Sequence, residues 1–235
     1  MSVEIKVWDW PLRLFHWLLV LAVVGAYWTG TVGGEWTDWH ARFGSLILGL
    51  LVFRIFWGFF GSTHARFASF VPTWSRLRAY FLGEWDGIGH NPLGAFAVFA
   101  LLAVLIVLVG TGLFANDDIA FEGPLFDLID KDLSDKLSGW HLKSVNVLLA
   151  LVGLHVGAIV FYQRVKKADL LLPMLTGNKR LPAIHSSANA VVGPARLAIS
   201  LLLAGSVVWS VWGGDPLSHL PQLAGVQSAQ AGNKP

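Results

Sequence analysis

Apolar residues in this chain fall in long continuous runs, not in the one-sided stripes of soluble helices or the strict alternation of half-buried strands. Five runs reach or approach the ~20 residues that span a bilayer core: Leu12–Thr29, Phe43–Phe60, Leu93–Ala115, Val145–Tyr162 and Leu197–Trp212. Each is expected to be a transmembrane helix, since barrel strands would alternate at period two. Pro11 and Pro92 stand where a first helical turn would begin, a position proline suits. The stretch from Met1 to Arg13 carries acids and tryptophans, and no small-residue cleavage pattern follows the first run. That run is therefore expected to remain as a helix and not be cut away as a signal.

Polar residues between the runs set an expected orientation. The N-terminus holds Lys6 and Arg13, and the second connection holds Arg66, Arg76 and Arg78. The fourth connection adds Arg164, Lys166, Lys167, Lys179, Arg180 and Arg196, so one side collects eleven of the seventeen basic residues. The positive-inside rule makes that side cytoplasmic and the C-terminus periplasmic. Tryptophans divide accordingly, with Trp8, Trp10, Trp17, Trp57, Trp74 and Trp85 near the inner boundary. Trp28, Trp36, Trp39, Trp140, Trp209 and Trp212 fall near the outer one, as interfacial belts require.

Composition agrees with the pattern. Of 235 residues 54% are hydrophobic and 14% charged, with mean hydropathy +0.58, whereas soluble domains carry ~25% charge. The formal charge of +2 comes from dispersed basic residues, which gives no nucleic-acid surface. Cysteine is absent, so disulfides, thiolate zinc, iron–sulfur clusters and thioether-linked haem are excluded. Any bound metal would need histidine or carboxylate.

Ionisable residues inside spans are functional candidates by default. The fourth run carries His141 and His155, fourteen positions apart. At ~1.5 Å and ~100° per residue, that spacing advances ~21 Å and leaves the rings ~40° out of line. One helical face thus offers imidazoles at two depths. His16 lies near the inner start of the first run and His40 at the outer start of the second. The depths pair His16 with His155 (inner) and His40 with His141 (outer), as two bis-histidine haems in a helix bundle would require. Taken singly, each could instead be an interhelical hydrogen-bonding residue. His64, just past the inner end of the second run, reads as an interfacial residue, with contact to a haem propionate or a quinone as the alternative, and His90, His185 and His219, in loops or the tail, read as ordinary residues there.

Arg54 follows His40 by fourteen residues, on nearly the same face and at the inner depth. A haem propionate, or escape of the side chain to the boundary, would satisfy it. Gly44, Gly49, Gly153 and Gly157 leave room for a flat ring or a close helix. The outer stretch Asn116–Ser138 reads as an acidic loop, with Asp117, Asp118, Glu122, Asp127, Asp130, Asp132 and Asp135 against Lys131 and Lys136. It is either a solvated loop or a docking surface for a basic partner.

Several segments carry a family likeness. Val7-Trp-Asp-Trp-Pro-Leu-Arg-Leu-Phe-His16-Trp resembles the opening signature of the bacterial cytochrome b561 family, which includes the b-type subunits of nickel–iron hydrogenases. Trp39-His40-Ala-Arg-Phe-Gly, Arg54 to Phe67, the His141/His155 helix and Met174 to Arg180 are similar to further family segments, over roughly residues 5–182. The resemblance implies an all-α membrane bundle with a four-helix core holding two haem b groups. By motif their ligands would be His16, His40, His141 and His155. The fifth run goes beyond that core. The expected organisation is therefore a di-haem unit over 1–182, followed over 183–235 by a cytoplasmic linker, a fifth transmembrane helix and a periplasmic tail.

The function so implied is electron transfer across a bacterial inner membrane, between membrane quinone and a periplasmic c-type cytochrome or hydrogenase-like enzyme. A superoxide:quinone oxidoreductase is the rival within the family, disfavoured by the acidic stretch, which would repel an anionic substrate. From other classes come a transporter with proton-relay histidines and a purely structural membrane anchor.

Overall fold

The computed structural model describes residues 2–119, 121–182 and 192–212. His185, His219 and most of the expected linker and tail lie outside them. The helices are α1 (Trp10–Val32), α2 (Thr37–Phe60), α3 (Phe67–Phe70), α4 (Trp74–Phe81), α5 (Pro92–Gly112), α6 (Lys131–Arg164), α7 (Leu171–Thr176) and α8 (Pro194–Val211), with short α3, α4 and α7 in the connections between the apolar runs. Five of these, α1, α2, α5, α6 and α8, are long and apolar enough to cross a membrane.

Local chemistry fixes their starts. Asp9 accepts from Leu12 N at 2.8 Å with Pro11 in the first turn, and Asn91 accepts from Gly94 N at 2.7 Å with Pro92 in the first turn. Asp130 does the same for α6 through Leu133 N at 2.9 Å. Each cap satisfies an amide that a helix start otherwise leaves unpaired. The α6 cap lies well before Val145, so about the last third of the expected acidic loop, from Lys131 on, is helix. At ~1.5 Å per residue, its 34 residues exceed the ~30 Å bilayer core, and α6 projects beyond it.

A two-stranded antiparallel ribbon, β1 (Ser2–Lys6) with β2 (Asn178–Pro182), closes one end of the bundle. Val7 N and Trp8 N donate to Gly177 O at 2.8 and 3.1 Å, tying the start of α1 to the chain beyond α6. This is the ribbon end; the α5–α6 connection lies at the far end.

In lipid, helix association depends on packing and interhelical hydrogen bonds more than on exclusion of water. One core joins Ala22 and Ala26 (α1), Ile47 and Leu51 (α2), Val104, Leu105 and Leu108 (α5), and Leu148 (α6). A second, nearer the ribbon, joins Leu12, Phe15, Phe53, Trp57 and Ala65 with Ala204 of α8. Helix α8 seats on α2: a Cβ on Gly49 would stand 3.2 Å from Val208, and Trp212 Nε1 donates to Ser45 Oγ at 3.0 Å. Trp57, in the last turn of α2 at the ribbon end, is buried against protein at 1% exposure and donates from Nε1 to Asp9 Oδ2 at 3.0 Å.

Candidate haem sites

Helices α1 and α2 form one wall and α5 and α6 the other, and the four intramembrane histidines occupy their facing sides in two groups. At the far end the rings of His40 and His141 approach to 5.9 Å between centroids, 82° apart in plane. His40 Nδ1 lies 2.8 Å from Ala26 O of α1, and His141 Nδ1 lies 2.9 Å from Leu108 O of α5. A carbonyl only accepts, so each Nδ1 carries the proton and donates. Each Nε2 is then left with its lone pair, the state in which histidine binds a metal, with the ring oriented by the backbone carbonyl that its Nδ1–H meets.

Two glycines make these placements possible. A Cβ on Gly30 would lie 2.7 Å from His40 Nδ1, and one on Gly112 would lie 3.0 Å from His141 Cε1. Sequence reading missed both. Gly30 follows His16 by fourteen residues, so it shares that face at the depth of His40, and this spacing was the available signal. Of the glycines singled out, Gly49 receives α8, whereas Gly44, Gly153 and Gly157 face open space.

Nearer the ribbon, His16 and His155 lie within electrostatic range of one another. Leu148, midway in sequence between His141 and His155, is buried in the central core and separates the two levels. The depth pairing read from sequence is thus reproduced in space, tightly at the far end and more loosely at the ribbon end.

Polar satisfaction differs between the ends. The buried side-chain atoms without a hydrogen-bond partner among the described residues are Arg13 Nε, His16 Nδ1, Arg54 Nη1, Ser62 Oγ and His90 Nδ1. All belong to segments at the ribbon end. Arg54 is 2% exposed, so it does not escape to the boundary, and its guanidinium stacks on Phe67 at 4.5 Å. Asp9 is within its electrostatic range, but the carboxylate oxygens of Asp9 serve Leu12 N and Trp57 Nε1. His90, taken from sequence as a surface loop residue, sits between the rings of Trp8 and Phe70 at 4.6 Å from each. Burial, and next the charge of Arg54, push it down to about 3, so it is neutral with one N–H to give. No sequence pattern marks it, because Trp8 and Phe70 reach it from distant parts of the chain.

These residues fit a haem better than a bare ion. Among the described residues no three or more histidines or carboxylates converge as a metal-holding cluster. Two histidines hold iron when a macrocycle supplies the other donors, and the orphaned ribbon-end donors suit its carboxylates.

The acidic stretch is partly structural. Lys131 pairs with Asp118 and with Asp135, the latter at 2.9 Å, Asp130 caps α6, and Asp117 Oδ1 accepts from Ile119 N and Phe121 N. Glu122, Asp127 and Asp132 remain exposed.

Comparison with known proteins agrees with this architecture. The family model described as prokaryotic cytochrome b561 matches residues 7–177. A probable Ni/Fe-hydrogenase B-type cytochrome subunit of Azotobacter vinelandii is 29% identical over 75% of this chain and 88% of its own. The similarly described protein of Rhizobium leguminosarum bv. viciae is 24% identical over 75% and 89%. The probable Ni/Fe-hydrogenase 1 B-type cytochrome subunit of Escherichia coli K12 is 28% identical over 47% and 60%. No solved structure matches. The four histidines, both walls of the bundle and the ribbon-end loop all fall inside the matched region, and the chain belongs to the prokaryotic cytochrome b561 family, as a membrane b-type cytochrome of electron transfer.

Proposed function

We propose that this protein carries electrons between a redox partner at its far end and membrane quinone near its ribbon end, using two haem b groups. His40 and His141 hold one, and His16 and His155 the other. The observation that carries the reading is the far-end pair, two facing imidazoles whose Nδ1 protons are committed to backbone carbonyls. When bound, the haems supply reversible one-electron iron chemistry.

The chain's own residues orient and insulate. Ala26 O and Leu108 O fix the tautomers of the far-end rings, Gly30 and Gly112 admit them, and Leu148 with its apolar neighbours separates the levels. The partner is a hydrogenase-like enzyme, as the relatives' descriptions suggest, or a c-type cytochrome. In this reading the protein lies in a bacterial inner membrane with its N-terminus cytoplasmic and its far end periplasmic. Residues 1–182 form the haem-binding unit, and α8 is an addition to it.

The purified protein is therefore expected to show a reduced-minus-oxidised b-type spectrum and two haems per chain. A colourless, folded protein would contradict the proposal and favour a transporter with proton-relay histidines or a structural anchor.

A further inference from the structure

The ribbon-end donors make a demand that the histidine pairs do not meet. Arg54 Nη1 is buried and without a hydrogen-bond partner among the described residues, and the ion pairs of Lys131 lie at the other end of the bundle. Asp9 lies within its electrostatic range but makes its hydrogen bonds to Leu12 N and Trp57 Nε1, and a guanidinium held away from water without a hydrogen-bonded anion is costly. The cation is also locked in place: Phe67 lies under it at 4.5 Å and occupies the space that a Cβ on Gly58 would need. His90 is within electrostatic range of Arg54, His64 and His155. Its ring is held by Trp8 and Phe70, and its Nδ1 is buried without a partner. The ribbon steadies this loop from outside, because Trp8 follows β1 and Lys179 of β2 reaches Ile88 O at 3.5 Å. Two rigid, buried donors, one charged and one neutral, thus stand unused beside the His16/His155 level.

We infer that Arg54 and His90 together form a carboxylate receptor at the ribbon end, and that the carboxylate is a propionate of the haem held by His16 and His155. The inference rests on the haem reading above and assigns a role to a loop histidine outside the ligand set. Arg54 compensates the propionate charge while His90 donates one hydrogen bond to it, and both raise the affinity of the ribbon-end haem for an electron. Among the described residues no buried, unpartnered donor lies at the far end, where Arg42 is exposed and the histidine Nδ1 atoms are satisfied by carbonyls.

The test is a spectroscopic redox titration of the purified holoprotein in a His40→Ala background, where only the ribbon-end haem should remain. Arg54→Gln is expected to lower the equilibrium constant for its reduction at least tenfold, about 59 mV for one electron. His90→Phe fills the slot between Trp8 and Phe70 without a donor and should lower the constant severalfold. His90→Asn, which keeps an N–H, should restore most of the loss. With His40 intact, the far-end haem's midpoint should be unchanged in all three. Unchanged midpoints in haem-replete Arg54→Gln and His90→Phe would overturn the inference. Equal shifts at both haems would do so too, as would equal losses in His90→Phe and His90→Asn, which would make His90 a packing residue. If the haem assignment itself is wrong, the His40→Ala background will not hold one haem, and the two failures are distinguishable.

Discussion

At the scale of single residues, the far-end site is decided by atoms as small as a missing methyl. Gly30→Ala would place a carbon 2.7 Å from His40 Nδ1, and overpacking of this kind costs about 1–3 kcal/mol. The expected outcome is a lowered thermal midpoint with loss or altered electron spin resonance of the far-end haem alone; an unaffected far-end signal would contradict the placement of His40. His90 makes a separate prediction. In the haem-free protein its ordinary value of 6.5 is driven down to about 3 by burial and next by the charge of Arg54, so the unfolded chain binds more protons in that interval. Stability therefore rises with pH between about 3 and 6.5 and falls on acidification. His90→Phe should flatten that part of the profile, measured as unfolding midpoint against pH. The four ligand candidates were legible from helical spacing because depth along a helix is arithmetic. Gly30, Gly112 and His90 were not, since their roles depend on which helix faces which and on contacts between distant segments.

Among the elements, continuous apolar runs located all five spans, and the prolines marked two of their starts. The start of α6 was misread because Lys131, Asp132, Asp135 and Lys136 look like loop residues, although the Asp130 cap and the Lys131–Asp135 pair one turn on support a helix. The ribbon was also unread, as two five-residue strands carry little pattern and pair only because α1 and α6 bring them together. Helix α8 lies outside the family match at 7–177 and offers no intramembrane histidine. Enlarging Gly49 to Leu would strike Val208, 3.2 Å from an added Cβ. The expected cost is about 1–3 kcal/mol, seen as a lowered thermal midpoint with an unchanged haem-to-protein ratio. Loss of a haem in that variant would make α8 part of the cofactor core.

For the whole molecule, the two ends differ in kind. The far end presents Glu122, Asp127 and Asp132 to solvent, while the ribbon end buries Arg54 beside unpartnered donors. Charge complementarity at the far end should steer a basic soluble partner. The triple change Glu122→Gln, Asp127→Asn, Asp132→Asn is expected to slow reduction by a basic c-type cytochrome about tenfold at low salt and to flatten its salt dependence. A salt-independent rate in the unaltered protein would remove the docking role. The central claim is the pairing of histidines across the bundle, and haem content measures it most directly. His40→Ala and His141→Ala, alone or together, should each leave one haem per chain with the same remaining spectrum. His16→Ala and His155→Ala should leave the complementary one, and His16→Ala with His40→Ala should leave none. Two haems retained in any single variant, or one haem surviving that last combination, would contradict the account.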